Sequence, residues 1–123
     1  MITNFETITY ELTDQELKLV PIFIEGIRKF TDGKKIKAPE IVNLINSKYG
    51  EKTITQPRLR KIVNYVRSNG LLPVIATSKG YYVSYDKQEI KQQIRSLKER
   101  ASAIYSSASG LESFLTETQM QLF

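Results

Sequence analysis

The stretch Thr53–Tyr85 constrains the fold more than any other part of the chain. Its first half has apolar residues at i, i+3, i+4 and i+7, the spacing of one helix face, at Leu59, Ile62, Val63 and Val66. Two β-branched and aromatic runs follow, Leu72–Thr77 and Tyr81–Tyr85, and Ser78-Lys79-Gly80 between them suits a hairpin tip. The stretch therefore predicts an amphipathic helix followed by a β-hairpin with a cationic tip.

A first helix is predicted well before this stretch. Thr13-Asp14-Gln15-Glu16 is a capping box, in which the side chains of Thr13 and Glu16 satisfy each other's backbone N–H groups. We expect the helix to continue to about Thr31, with a kink or break at Pro21, where one backbone hydrogen bond is lost. Its expected buried side chains are Leu17, Val20, Ile24, Ile27 and Phe30.

A second helix is expected to begin near Ala38-Pro39-Glu40 and to end at Gly50, because proline is tolerated in a first turn and glycine favours a helix end. Its expected buried side chains are Ile41, Val42, Leu44 and Ile45. Glu51–Ile54 is then a turn that leads to the third helix. That helix should be capped by Thr55, carry Pro57 in its first turn and end at Asn69-Gly70.

A long C-terminal helix is predicted over residues 86–115, opened by a second capping box at Asp86-Lys87-Gln88-Glu89. Its apolar residues alternate spacings of four and three, as in about three heptads, at Ile90, Ile94, Leu97, Ala101, Ile104, Ala108 and Leu111. Two interpretations are open. The heptad positions pack on the first helix and the hairpin, or they form a homodimer through Ile90, Ile94, Leu97, Ala101 and Ile104.

Together these elements predict an α+β fold that is mainly helical. Residues 1–12 are expected to form an N-terminal arm or short strand, residues 13–85 three helices and a hairpin, and residues 116–123 a flexible tail after the C-terminal helix. A helix-turn-helix followed by a hairpin is the outline of the winged helix-turn-helix fold. That fold places a helix in the major groove of DNA and its hairpin, the wing, beside it.

The positive charge is concentrated in the middle of the chain. The formal net charge is +5, but residues 1–32 carry −3, residues 33–100 carry +10 and residues 101–123 carry −2. A basic segment between mildly acidic ends is typical of a module that binds a polyanion. The third helix and the hairpin lie in this segment, so we expect nucleic acid to be the partner.

The composition argues against catalysis. The chain has no histidine and no cysteine, and so lacks the commonest general base and the usual zinc ligands. A metal-dependent nuclease would have to use the scattered carboxylates of the basic segment, which are Glu40, Glu51, Asp86, Glu89 and Glu99. We therefore expect a non-catalytic binder with neither a cofactor nor a metal. The longest apolar run, Leu19–Ile24, is too short to span a bilayer, so no membrane partner is expected.

The polar side of the third helix is the expected DNA-reading surface. It consists of Gln56, Pro57, Arg58, Arg60, Lys61, Asn64 and Tyr65, and its polar side chains can bond to phosphates or to the edges of guanine and adenine. Contacts to the DNA backbone are expected from Ser78 and Lys79 at the hairpin tip. Lys34, Lys35 and Lys37, before the second helix, are expected to make further backbone contacts.

Two segments carry a resemblance to a known family. ELTDQELKLVPIFIEGI and RLRKIVNYVRSNGLLPVIATSKGYYVS resemble small winged-helix proteins of phages, prophages and other mobile elements, over roughly residues 10–110. The resemblance implies a winged-helix protein that binds double-stranded DNA. It also implies a role in phage or prophage DNA metabolism, in the cytoplasm of a bacterial host.

The sequence Gln119-Met120-Gln121-Leu122-Phe123 is similar to the bacterial sliding-clamp-binding peptide, usually Gln-Leu-x-Leu-Phe. The resemblance implies that Gln119, Met120, Leu122 and Phe123 contact a clamp, with Met120 in place of the usual leucine. The alternative is that the apolar side chains fold back onto the protein's own core. Two functions are thus expected: a replication accessory or modulator that engages the host clamp, and a dimeric sequence-specific transcriptional repressor.

Overall fold

A computed structural model of the chain describes the backbone of residues 11–121 and the side chains of residues 11–115. These residues form an α+β fold that is mainly helical, with four α-helices and one antiparallel hairpin. The helices are α1 (Asp14–Ile27), α2 (Ala38–Tyr49), α3 (Gln56–Ser68) and α4 (Lys87–Gln121), and the strands are β1 (Val74–Thr77) and β2 (Gly80–Val83). The chain divides after Asp86 into two compact units. Most of the expected N-terminal arm, residues 1–10, lies outside the described residues.

Helix α1 begins with the predicted capping box. The backbone N–H of Glu16 donates to Thr13 Oγ1 at 3.2 Å, and the backbone N–H of Thr13 donates to Glu16 Oε1 at 2.8 Å. The helix runs through Pro21 without interruption, so the expected break does not occur. It ends at Ile27 and not near Thr31, because Thr31 and Lys34 exchange two backbone hydrogen bonds, of 3.0 and 2.9 Å, in a tight turn.

The core of the first unit is formed by α1, α2 and α3 together with the hairpin. The predicted apolar face of α3 is confirmed, since Leu59, Ile62, Val63 and Val66 are all buried. In α2 only Ile41 and Ile45 are buried, whereas Val42 is half-buried and Leu44 is exposed.

The buried face of α1 differs from the prediction. It consists of Glu16, Leu19, Val20, Phe23 and Ile27. Leu17 is exposed, while Ile24 and Phe30 are half-buried. Helix α1 has apolar residues around most of its circumference, so more than one set of positions has helical spacing. The packing of α1 on α3 selects the set that includes Glu16.

The turn between α2 and α3 is held by one side chain. The Asn46 amide donates to the backbone oxygen of Ile54 at 3.0 Å and accepts from the backbone N–H of Ile54 at 2.9 Å. Ile54 itself is buried in the core. Gly50 ends α2 as predicted, with a φ of 112° that favours glycine. Thr55 precedes α3 in extended backbone, but its side chain does not form the predicted cap hydrogen bond.

The hairpin is shorter than predicted, and its second strand, β2, also pairs with a residue outside the hairpin. Its register runs from Val74 opposite Val83 to Thr77 opposite Gly80, which leaves Ser78 and Lys79 as the tip. Ile36 pairs with Tyr81 through backbone hydrogen bonds of 3.0 and 2.7 Å. The segment between α1 and α2 therefore lies directly beside β2.

Helix α4 forms the described part of the second unit. It begins directly after Asp86, the predicted cap residue, and continues to Gln121, beyond the expected end at residue 115. The backbone of residues 116–121 is thus helical, and the expected flexibility of the tail stays a prediction. Neither proline nor glycine occurs after Gly110, so no helix breaker interrupts this part of the sequence. Within residues 11–121, no helix is long and apolar enough to cross a membrane.

Because Gly80 lies against Ile36, substitution by alanine should lower the stability more at Gly80 than at Gly33. A Cβ at Gly80 would lie 2.7 Å from the backbone oxygen of Ile36, and the φ of Gly80 is 135°. Gly80→Ala should therefore lower the stability by about 1–3 kcal/mol, with the melting temperature falling by roughly 4–8 °C per kcal/mol. Gly33→Ala is the control, since a Cβ there meets nothing within 4 Å. Equal melting temperatures for the two variants in calorimetry would contradict this account of the hairpin.

Candidate nucleic-acid interface

The polar side of α3 is the largest part of the candidate interface. The helix has four basic residues and no acidic residue, and its buried stripe faces the core. The exposed side chains on the rest of the helix are Gln56, Pro57, Arg58, Arg60, Asn64 and Ser68. Placed at 100° per residue, the exposed residues Pro57, Asn64 and Ser68 lie opposite the buried stripe, and Arg60 lies on one flank, about 70° from that direction. We call these four residues the outward face of α3.

The sequence predicts that Lys61 lies on an open surface. In the structure it does not. Its Nζ is 2.8 Å from Glu16 Oε1, and the two side chains are only 14% and 3% exposed. Helix α1 packs along this side of α3 and covers Lys61. The ammonium group of Lys61 is thus engaged in a salt bridge inside the fold, and a contact of Lys61 with DNA stays a prediction.

Arg58 keeps part of its side chain available. Its Nε lies 3.9 Å from Glu16 Oε2, at the edge of salt-bridge distance, and its side chain is 51% exposed. An ion pair this long and this exposed contributes little to stability. Arg58 can therefore turn towards a ligand without a large loss of stability, in contrast to Lys61.

The Glu16 carboxylate is stabilised in its charged form. Burial raises the pKa of Glu16, but the hydrogen bonds from Lys61 and Thr13 and the positive charge of Lys61 together lower it by more. The net result is a pKa below the ordinary value for glutamate, so the group is ionised at neutral pH. Sequence reasoning assigned Glu16 to the capping box alone. Nothing in the local sequence links it to Lys61, which lies 45 residues further along the chain.

Two further residues of α3 serve the fold. Arg67 Nε donates to the backbone oxygen of Val74 at 2.9 Å and so connects the end of α3 to the first residue of β1. Tyr65, expected to contact DNA, is half-buried and packs against the core. The basic residues of α3 with exposed side chains are thus Arg58 and Arg60.

The hairpin tip presents one cation. Ser78 and Lys79 are both exposed, as predicted. The tip is fixed by the Thr77 hydroxyl, which accepts from the backbone N–H of Lys79 at 3.1 Å and donates to the backbone oxygen of Gly80 at 3.3 Å. Lys79 forms no salt bridge with any residue that the structure describes. Its ammonium group is therefore available at the end of a fixed backbone.

The three lysines before α2 differ in availability. Lys35 Nζ is 2.9 Å from Asp32 Oδ1 and lies 5.2 Å from the centre of the Tyr82 ring, so its charge is engaged within the fold. Lys34 is exposed, with its Nζ 5.5 Å from the centre of the Phe30 ring. Lys37 is exposed and directly follows Ile36, which pairs with β2. Lys34 and Lys37 therefore flank the segment that is attached to the hairpin.

Two classes of donor are exposed in the first unit. The cations of Arg58, Arg60, Lys79, Lys34 and Lys37 can bond to anionic oxygens, while the amides of Gln56 and Asn64 can both donate and accept. This set of side chains suits a polyanion that also has hydrogen-bond donors and acceptors. No group of three or more His, Cys, Asp or Glu side chains that could hold a metal occurs in the described part of the chain.

The residues predicted to contact a clamp are described only in part. Gln119 and Met120 belong to the helical backbone of α4, and their side chains are not described. Leu122 and Phe123 lie outside the described residues. The suggestion that these apolar side chains fold back onto the core therefore stays a prediction, as does their binding to a clamp.

The Glu16–Lys61 salt bridge predicts a pH-dependent loss of stability. Glu16→Gln removes the charge that pairs with the nearly buried Lys61 and should cost about 3 kcal/mol at pH 7, near the lower end for a broken buried pair. Because folding lowers the pKa of Glu16, its contribution is complete above the ordinary pKa of glutamate and is lost as the pH falls through the lower pKa of the folded state. The difference between variant and wild type in urea denaturation should therefore shrink towards pH 3.

The matched control is Glu25→Gln, which removes the same charge from an exposed position of α1. It should change the free energy of unfolding by less than about 0.5 kcal/mol. A Glu16→Gln variant as stable as this control, or a stability difference independent of pH, would contradict the structural role given to Glu16.

Comparison with known proteins adds no further assignment. No family model matches the chain, and neither a curated protein nor a solved structure matches it. The resemblance to phage winged-helix proteins and the similarity to a clamp-binding peptide therefore stay predictions from the sequence. The function of the first unit has to be inferred from the geometry of α3, the hairpin and the lysines beside it.

Proposed function

We propose that the first unit is a winged helix-turn-helix domain that binds double-stranded DNA without catalysing a reaction on it. In this proposal α2 and α3 form the helix-turn-helix, α3 enters the major groove, and the β1–β2 hairpin is the wing. The observation that carries the proposal is the exposure of Arg58 and Arg60 on α3 together with Lys79 at the hairpin tip. An element order of three helices and a hairpin supports it.

The outward face of α3 has the chemistry to read base edges. Arginine can bond to two acceptors of guanine at once, and asparagine can bond to adenine in the same bidentate way. Arg60 and Asn64 both lie on that face, and Gln56 is exposed at the first residue of the helix. In the proposed complex these three residues contact bases, whereas Lys61 maintains the position of α1 against α3.

The remaining exposed cations suit phosphates. Lys79 at the tip, with Lys34 and Lys37 on the segment paired to β2, would follow the DNA backbone beside the groove. Arg58 can join them when it turns away from Glu16. Each phosphate neutralised by such a residue contributes about −0.9 to the slope of log affinity against log salt. Four such contacts give a slope of roughly −4.

Alanine variants should separate base reading from backbone contact. Arg60→Ala should lower the affinity for a preferred duplex about tenfold or more, and reduce the discrimination between sequences, because a base contact is lost. Lys79→Ala should weaken binding to all duplexes alike and reduce the salt slope by about 1. Fluorescence anisotropy with labelled duplexes across a salt series measures both effects.

The control is Lys29→Ala, an equal change of charge at an exposed residue next to α1, in the groove between α1 and α2. It should leave the salt slope nearly unchanged. If Lys29→Ala weakens DNA binding as much as Arg60→Ala and Lys79→Ala do, net charge alone explains the binding. The proposed interface is then wrong.

The sequence Gln119–Phe123 supports a second proposed activity, which is binding to a bacterial sliding clamp. Such a peptide binds in extended form, with a leucine and an aromatic residue in an apolar pocket. Residues 119–121 form the last turn of α4, so that turn would unwind on binding. The last turn of a helix has few intrahelical hydrogen bonds and unwinds readily. The chain would then act as a replication accessory or modulator in a phage or another mobile element.

A double variant, Leu122→Ala with Phe123→Ala, tests the clamp proposal. It should abolish capture by a purified bacterial sliding clamp and leave the affinity for DNA unchanged, because the two activities belong to different units. Thr116→Ala with Thr118→Ala is the control in the same part of the chain and should retain clamp binding. Equal capture of wild type and both variants would exclude Leu122 and Phe123 as the clamp contact.

A further inference from the structure

Helix α4 carries a continuous apolar stripe, which is half-buried at Ile90 and exposed from Ile94 onwards. Its members follow spacings of four and three, and we call them the α4 seam: Ile90, Ile94, Leu97, Ala101, Ile104, Ala108, Leu111 and Leu115. Ile104, Leu111 and Leu115 are 71%, 67% and 69% exposed. A soluble helix ordinarily buries such a stripe against a partner. The Ser-rich segment 106–110 makes a partner more necessary, since serine and glycine are poor helix formers.

We infer that the α4 seam pairs with the α4 seam of a second copy of this chain, and that the two helices run antiparallel. In an antiparallel coiled coil, each a position of one helix packs in a layer with a d position of the other. The repeat makes Ile94, Ala101, Ala108 and Leu115 the a positions and Ile90, Leu97, Ile104 and Leu111 the d positions. This pairing does not depend on the proposed binding to DNA.

The sizes of the seam residues favour the antiparallel direction. Centred between Ala101 and Ile104, the antiparallel pairing forms four kinds of layer: Ile90 with Leu115, Ile94 with Leu111, Leu97 with Ala108, and Ala101 with Ile104. Each alanine then faces a large side chain of the other copy. A parallel pairing in register would instead stack Ala101 on Ala101 and Ala108 on Ala108. Two layers that contain only alanine, between layers of large side chains, leave unfilled space, which is unfavourable in a packed core.

The charges along α4 favour the same direction. Residues 87–100 carry five basic and two acidic side chains, a net charge of +3, whereas residues 101–121 carry only Glu112 and Glu117, a net charge of −2. Antiparallel helices place the basic half of one copy beside the acidic half of the other, and parallel helices place the two basic halves together. Lys91 and Glu112 both flank the seam, and the antiparallel register brings Lys91 of one copy near Glu112 of the other.

The antiparallel direction has a consequence for geometry. Lys87 of one copy would lie opposite residue 118 of the other, so the two Lys87 residues are roughly 45 Å apart along the coil. The chain therefore enters the paired helices at opposite ends. A dimer of this kind is suited to two separate DNA segments, whereas a parallel dimer would suit adjacent half-sites of a palindrome.

The mass of the full chain in solution tests the association. Light scattering after size exclusion should give a dimer, twice the 14.1 kDa of one chain, at tens of micromolar protein. Ile104→Asp with Leu111→Asp should convert it to a monomer, because charges would be buried in two seam layers. Ser106→Asp with Ser113→Asp adds the same charge to exposed positions outside the seam and should leave the dimer intact. A monomeric wild type, or a dimer that survives the seam variant, overturns the inference.

Disulfide formation tests the direction, since the natural chain has no cysteine. Ala108→Cys alone should not cross-link, because the two copies of residue 108 are roughly 16 Å apart along an antiparallel coil. An equal mixture of the Ala108→Cys and Leu97→Cys chains should form a mixed disulfide dimer in a glutathione buffer. Efficient cross-linking of Ala108→Cys with itself would show a parallel pairing and overturn the antiparallel assignment.

Discussion

The arrangement of α1 against α3 depends on the salt bridge between the buried carboxylate of Glu16 and the ammonium group of Lys61. The carboxylate accepts the backbone N–H of Thr13 at the start of α1 and the ammonium group of Lys61 in the middle of α3. A buried charge is tolerated only when such partners surround it, so the contact requires one orientation of the two helices. The same contact removes Lys61 from the cations of α3 that are left for a ligand.

The basic residues of α3 fall into two groups. Lys61 and Arg67 are engaged within the fold, the first by Glu16 and the second by the backbone oxygen of Val74. Arg58 and Arg60 have exposed side chains. The contact of Arg67 also attaches the hairpin to α3, and the pairing of Ile36 with Tyr81 attaches it to the segment before α2. The proposed interface therefore consists of exposed side chains on elements held by one core.

The fold could be predicted from the sequence where a local pattern had a single solution. The apolar stripe of α3 and the capping box of α1 are of this kind, and the structure has both. The buried face of α1 could not be predicted, since its apolar residues surround the helix and the choice depends on how α1 packs against α3, far along the chain. For the same reason the sequence could not separate engaged cations from exposed ones: it marks Lys35 and Lys61 as cationic but does not show that Asp32 and Glu16 engage them.

In the proposed complex, α3 and the hairpin tip form the surface that meets duplex DNA. Amide chemical shifts of the ¹⁵N-labelled full chain, followed while a random-sequence duplex is added at low salt, test it most directly. The proposed interface predicts shifts in Gln56–Asn64 and in Ser78 and Lys79, with little change at Gly26 and Ser47 in the groove between α1 and α2. Shifts confined to that groove, or none with duplex in excess over protein, would contradict it.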